Sequence, residues 1–84
     1  MDLQLIGIDP DSDKTNCPTF WVRHDQREII AQGWNAEAEL LDKCRETGEI
    51  PDSESVIRIP FRMIPLLREA IDAAERGAAG GAQL

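Results

Sequence analysis

The sequence predicts a small α+β domain, with a mostly antiparallel sheet of about four strands and its helices on one face. Two aromatic and β-branched segments flank a four-residue polar turn, which is the pattern of a β-hairpin. The last third of the chain repeats apolar residues with helical period. Together with a first and a fourth strand and one short helix, these segments give the order β-β-β-α-β-α.

Four segments have the composition of strands: residues 3–8, 19–23, 28–34 and 55–59. The first has apolar side chains on both faces, which is typical of a strand covered on both sides. In the hairpin, Phe20 and Val22 are expected to share one face, and Ile30 and Trp34 to share a face of the next strand. The segment from Asp9 to Pro18 has two prolines and is predicted to be a loop.

The first helix is predicted to begin at Asn35, whose side-chain oxygen accepts a hydrogen bond from an early free amide. Gly48 is the expected C-cap. Between them Leu40, Leu41 and Cys44 form a narrow apolar stripe, which together with Glu37 has the spacing i, i+3, i+4, i+7.

The second helix is predicted over residues 61–76, with Gly77 as its C-cap. Its apolar positions recur with helical period and are Met63, Leu67, Ala70, Ile71 and Ala74. Pro65 either follows an initial turn, with the main helix starting there, or kinks the first turn. Residues 1–77 are therefore predicted to form one domain, and residues 78–84 a disordered, glycine-rich tail.

Composition excludes several classes of function. The net charge is -7, from 16 acidic and 9 basic residues, and it opposes direct binding to nucleic acid. Arg58, Arg62 and Arg68 are the candidates for a local basic patch, but pairing with acidic neighbours is the simpler interpretation. The N-terminus lacks the features of a signal peptide, and no apolar run is long enough to span a membrane. A cytoplasmic location is therefore predicted.

Motifs for chemistry are weak. The alternating carboxylates of Asp9, Asp11 and Asp13 resemble the start of a calcium loop, but Lys14 and Phe20 occupy the positions that require glycine and a bidentate acid. Cys17, His24 and Cys44 are too few and too dispersed for a structural zinc site, and they lack the orienting group of a catalytic pair. We therefore expect no catalytic, cofactor-binding or metal-binding residues, and no enzymatic activity.

An excess of apolar surface is the strongest functional signal. The candidate interaction surface comprises Phe20, Trp21, Val22, Ile30, Trp34, Met63 and Leu67. Two helices cover one face of the sheet, and no further element is left for the other, so a two-fold homodimer is expected. The alternatives are that the loop from Asp9 to Pro18 covers that face, or that a different protein does.

Several segments together resemble a known group: residues 16–18, Trp21-Val22, residues 32–34, and residues 57–60 leading into a leucine-rich helix. They resemble short acidic actinobacterial proteins, often encoded beside helix-turn-helix regulators and similar to the BldB-type developmental regulators. The resemblance spans roughly residues 3 to 76. It implies a small, self-associating, non-enzymatic regulator that acts through partner proteins. From the acidic charge, the small size and the excess of aromatic surface we further expect that the chain antagonises or assists a transcription regulator.

Two function hypotheses from other classes remain open from the sequence. One is a domain that binds a small molecule or a metal with the aromatic hairpin. The other is an enzyme of unknown type.

Overall fold

The computed structural model describes residues 1–11 and 17–82. Its three-stranded sheet lies within the first 32 residues. Strand β1 spans Leu3–Ile8, β2 spans Thr19–Arg23 and β3 spans Glu28–Gln32. They pair antiparallel in the order β1-β2-β3, so β2 is central. The predicted α+β class is confirmed.

The turn between β2 and β3 comprises the predicted residues His24 to Arg27. Arg27 takes the left-handed conformation, with φ of 57°, which brings the chain back into β3. The N-terminus is fastened to this turn, because the Asp2 amide donates to Asp25 Oδ1 over 2.9 Å and the His24 amide donates to Asp2 O over 2.9 Å.

A bulge in β1 sets which side chains reach the core. The pairing of β1 with β2 is irregular between Leu5 and Gly7, where one strand has an extra residue. Regular alternation along β2 places Phe20 and Val22 on one side of the sheet, as predicted, and Trp21 on the other. Ile6 packs with Phe20 and Val22 on the core side.

A second, two-stranded sheet forms where one longer strand was predicted. The chain leaves β3 at Gln32, and β4, Trp34–Asn35, pairs instead with β5, Ile57–Arg58. Trp34 thus shares no strand with Ile30, and the predicted fourth strand is shorter than expected. The break falls at Gly33, where the missing side chain lets the β5 backbone come close.

The first helix, α1, spans Ala38–Arg45. Glu37 is its N-cap, so the prediction of Asn35 was wrong: Asn35 pairs with Ile57 in the small sheet. Gly48 is not the C-cap either, because the helix ends at Arg45 and Glu46 follows in a right-handed conformation. No residue of α1 is buried.

The second helix, α2, spans Ile64–Ala82 and follows a 3-10 turn at Phe61–Met63. Pro65 lies in the first turn of α2, where its missing amide breaks no helical hydrogen bond, so the first of the two alternatives is correct. Gly77 does not end the helix, which continues through it. The predicted tail overlaps α2 as far as Ala82, and residues 83 and 84 lie outside the described part.

The core lies between α2 and the sheet. Its buried side chains are Phe20, Val22, Met63, Ala70 and Ala73. Leu67 and Ile71, expected in the buried stripe, are 36% and 41% exposed. The buried face of α2 is turned away from them, because the small side chains of Ala70 and Ala73 let the helix axis approach β2 closely.

Replacement of Met63 by alanine tests this packing. Met63 is fully buried, so Met63→Ala should lower the free energy of unfolding by about 2–5 kcal/mol. Leu67→Ala is the matched control, one turn further along the chain in α2, and it should cost clearly less because Leu67 is already 36% exposed. Urea denaturation of both variants gives the two free energies of unfolding. Equal losses of this free energy would contradict the orientation of α2.

Candidate protein-binding surface

One face of the three-stranded sheet is apolar, and neither of the described helices packs on it. The register places Leu5, Trp21 and Ile30 side by side across the strands, on the face opposite the core. Leu3 and Ile8 lie on the same face, opposite Arg23 and Thr19. We call these five apolar residues the open sheet face: Leu3, Leu5, Ile8, Trp21 and Ile30.

The side chains at the β1 edge are the most exposed part of this surface. Leu3, Leu5 and Ile8 are 46%, 54% and 52% exposed, and Trp21 and Ile30 are half-buried. Within the described ranges, 1–11 and 17–82, α2 is the one helix that packs extensively on the sheet, and it covers the Phe20 face. Contiguous exposed apolar side chains of this kind mark interaction sites.

The seven side chains of the predicted interaction surface fall into separate places. Three lie in the chain's own core: Phe20, Val22 and Met63. They offer no surface to a partner, because α2 closes over the face that Phe20 and Val22 share. Trp21 and Ile30 do lie on the open sheet face. Sequence reasoning omitted Leu3 and Leu5, although their alternation with Gln4 placed them on one face of β1.

Trp34 lies away from the open sheet face, in contact with two arginines. The guanidinium carbons of Arg58 and Arg62 are 5.5 Å and 5.6 Å from the centroid of the indole ring. These are cation–π distances. Arg58 is also fixed by a 2.9 Å hydrogen bond from its Nε to Asn35 O. The Arg58 contacts lie within the small sheet, and the Arg62 contact attaches this sheet to the 3-10 turn that precedes α2.

An ion pair joins Asp9, directly after β1, to Arg62. Arg62 donates from Nε to Asp9 Oδ2 over 2.9 Å, and its terminal Nη2 lies 2.8 Å from the same oxygen. The Asp9 side chain has no exposed surface. The hydrogen bonds from Arg62, with a further one from the Asp11 amide, lower the pKa of Asp9 although burial acts to raise it. The same pairing raises the pKa of Arg62.

The residues weighed for metal chemistry are dispersed. Cys17 and Cys44 are both partly buried and are not joined by a disulfide. The His24 ring contacts Gln4 Oε1 through Nε2 at 2.8 Å. No group of three or more metal-ligating side chains occurs in the part of the chain that the structure describes. Asp13 and Lys14 of the acidic loop lie outside that part.

Three depressions among the described residues are open to solvent. One of them, of about 530 Å³, is lined by Gly33, Trp34, Asn35 and Arg58. No helix of the described residues has the length and apolar character to cross a membrane. Comparison with family models, with curated proteins and with solved structures finds no match to the chain.

Gly33 is a sensitive position in this arrangement. A Cβ atom there would lie 2.7 Å from Arg58 O, a backbone atom that cannot move without separating β4 from β5. Gly33→Ala should therefore destabilise the fold by about 1–3 kcal/mol. Gly48→Ala is the control, because a Cβ there meets nothing within 4 Å, and it should be neutral or stabilising. Equal thermal denaturation midpoints of the two variants would contradict the close approach of Gly33 to the β5 backbone.

The pKa of Asp9 predicts a dependence of stability on pH. A carboxyl whose pKa in the folded state lies below its usual value of 3.8 stabilises the fold above that value and loses this contribution as the pH falls. The free energy of unfolding should thus decline as the pH drops below about 4. Asp9→Asn should be less stable at neutral pH and should flatten this decline.

The matched control for that experiment is Asp42→Asn, which removes an exposed ion pair of 3.0 Å with Arg45. Exposed pairs contribute little, so this variant should follow the wild-type pH profile. Urea midpoints measured between neutral and acid pH give the profiles. If the stability of Asp9→Asn falls with decreasing pH as steeply as that of the wild type, the Asp9–Arg62 pair does not couple to folding.

Proposed function

We propose that this chain is a non-enzymatic regulatory or adaptor protein that binds another protein through its open sheet face. The observation that carries the proposal is the exposure of Leu3, Leu5 and Ile8 beside Trp21, on a face that no described helix covers. A half-buried tryptophan amid exposed aliphatic side chains has the composition of an interface hot spot. The three depressions named among the described residues are open to solvent, which gives less support to binding of a small ligand there.

The proposed partner is a basic protein that presents an amphipathic helix. A sheet with one free face is completed by a helix laid across it, as α2 completes the opposite face. The net charge of -7 attracts a basic partner and repels nucleic acid. A helix-turn-helix transcription regulator has this chemistry, and the chain would antagonise or assist it in the cytoplasm, as a homodimer.

Affinity purification from the native cell tests the proposal. The tagged wild-type chain should retain one stoichiometric protein, identified by mass spectrometry. Leu5→Glu should reduce its recovery at least tenfold, because a buried leucine contributes about 1.5–3 kcal/mol and a buried charge opposes binding.

Leu67→Glu is the matched control, since it places the same charge on α2, away from the open sheet face. It should retain the partner. Equal recovery of the partner by wild type and Leu5→Glu would contradict binding through the open sheet face. A retained partner that is a nucleic acid or a small ligand would contradict the adaptor function itself.

A further inference from the structure

The outer edge of β1 carries unpaired backbone groups. β1 is an edge strand of the sheet, and among the strands of residues 1–11 and 17–82 only β2 pairs with it. The hydrogen bond from the His24 amide to Asp2 O turns the backbone of Asp2 toward β2. The backbone of an antiparallel strand points alternately toward and away from its neighbour. The N–H and C=O groups of Leu3 and Leu5 therefore point away from β2, along the free edge.

β1 also lacks the features that keep an edge strand from pairing with another chain. Native edge strands are commonly protected by charged side chains or proline, and the sequence of β1, LQLIGI, contains neither. β3, the other edge strand, begins with the charged residue Glu28. The bulge of β1 lies between Leu5 and Gly7, so the segment from Leu3 to Leu5 is regular. This segment is thus a template for a further strand.

A groove between this free edge and α2 continues the same surface. Its volume is about 340 Å³, and it is lined by Gln4, Leu5 and Ile6 of β1 and by Glu69, Asp72 and Arg76 of α2. The three charged side chains are exposed, and no ion pair between described residues includes any of them. A strand that pairs with β1 therefore also comes near two acidic groups and one basic group of α2.

α2 runs antiparallel to β1. Leu66, near the start of α2, lies against Gly7, because a Cβ atom on Gly7 would be 2.6 Å from Leu66 Cδ2. Gly77, near its end, lies in the same way against the ring of His24, whose backbone pairs with Asp2. The helix between these two contacts and the strand between them are each about 16 Å long. Positions along α2 and β1 therefore correspond in order.

The charges of α2 and the free groups of β1 are arranged about the same point. By this correspondence the midpoint between Glu69 and Arg76 lies beside Gln4, which is also the midpoint between Leu3 and Leu5. A two-fold axis at Gln4, perpendicular to the sheet, places Leu3 of one chain opposite Leu5 of another. The same axis places Arg76 opposite Glu69. Both the edge and the charges are therefore self-complementary.

We propose that two copies of the chain pair edge to edge through β1, antiparallel about a two-fold axis at Gln4. Leu3 of each copy then faces Leu5 of the other, and each such pair exchanges both of its backbone hydrogen bonds. The two leucine side chains are 46% and 54% exposed in the single chain, and they contact each other across the paired strands. The result is one continuous sheet with the strand order β3-β2-β1-β1-β2-β3.

The charges on α2 favour a second copy as the occupant of this edge over a strand from a different protein. α2 packs mainly on β2, the central strand. In the paired sheet the two α2 helices are therefore three strand spacings, or about 14 Å, apart. Extended arginine and glutamate side chains bridge such a gap, so Arg76 of each copy meets Glu69 of the other. Symmetry makes this contact twice, without any further sequence.

This inference deepens the proposed function, on which it rests for the homodimer, by stating how the two copies assemble. The axis is perpendicular to the sheet, so the open sheet faces of both copies lie on the same side. They join along β1 into one apolar face of twice the width. The partner helix of the proposed function then has a larger surface to contact than one chain offers.

Sedimentation analysis of the full chain at low salt tests the pairing. The wild type should have twice the mass of one 9.4 kDa chain. Glu69→Arg and Arg76→Glu should each raise the dissociation constant of the dimer at least tenfold, because each variant places like charges opposite one another at both contacts. Both positions are exposed, so circular dichroism should show unchanged folding. A monomeric wild type would overturn the proposal.

Mixing the two single variants gives the decisive result. Their mixture should form a heterodimer with about the affinity of the wild type, because both of its contacts again join an acid to a base. The double variant, Glu69→Arg with Arg76→Glu, keeps the net charge of -7 and should also dimerise as the wild type does. A mixture or a double variant that dimerises as weakly as the single variants would overturn the proposal.

Backbone methylation tests the strand pairing itself. Cys17 permits ligation of a synthetic segment of residues 1–16 to the rest of the chain, so the backbone nitrogen of Leu5 can carry a methyl group. This nitrogen points away from β2, so the methyl group should leave the fold intact while it removes a donor from the free edge and blocks a second strand. The methylated chain should be monomeric, and the same ligated chain without the methyl group should be dimeric. A dimeric methylated chain would overturn pairing through β1.

Ile30→Glu separates this proposal from the proposed function. Ile30 lies on the open sheet face but on β3, two strands from the paired edge. The variant should lose the partner protein and remain dimeric. A dimer that retains its partner in Ile30→Glu would contradict the proposed function alone. Loss of the dimer in Ile30→Glu, with an intact dimer in the methylated chain, would place the dimer on the open sheet face and overturn pairing through β1.

Discussion

The packing of one helix against one face of a three-stranded sheet determines most of this structure. Ala70 and Ala73 let α2 approach β2, and Met63 fills the end of the contact beside Phe20 and Val22. Strand geometry then forces Trp21 onto the opposite face. Among the described helices, α2 packs on the Phe20 face and α1 makes no extensive contact with the sheet, so neither covers the Trp21 face.

Arg62 connects the parts that the sheet does not hold together. Its guanidinium binds the buried carboxylate of Asp9 and lies over the ring of Trp34, so it joins the end of β1, the small sheet and the start of α2. Asp9 requires such a partner, because an ionised carboxylate without exposed surface is otherwise strongly unfavourable. The position of the small sheet therefore depends on one side chain, Arg62, that contacts both Trp34 and Asp9.

The sequence predicted those parts of the fold that local pattern determines. The bounds of β1 and β2 and the turn from His24 to Arg27 were correct, because alternation and turn composition are local signals. The break at Gly33 depends on pairing with β5, some 25 residues later, and no local pattern shows it. The rotation of α2 was also missed: hydrophobicity favoured Leu67, whereas close packing selected the smaller Ala70.

The candidate surface was predicted only in part, because it too depends on packing between segments that are distant in sequence. Trp21 and Ile30 were identified as apolar residues in excess, and both lie on the open sheet face. Phe20 and Val22 were grouped with them because composition does not show which face the helix takes. Trp34 was included because the sequence does not show that its ring contacts Arg58 and Arg62, which are distant along the chain.

Oxidative footprinting by mass spectrometry tests the central claim most directly, on the free chain and on the complex purified from native cells. The account predicts rapid oxidation of Leu5 and Trp21 in the free chain and strong protection of both in the complex. Trp34, held by its two arginines, is the internal reference and should change little. Equal oxidation of Leu5 and Trp21 in both samples would show that the open sheet face binds no protein.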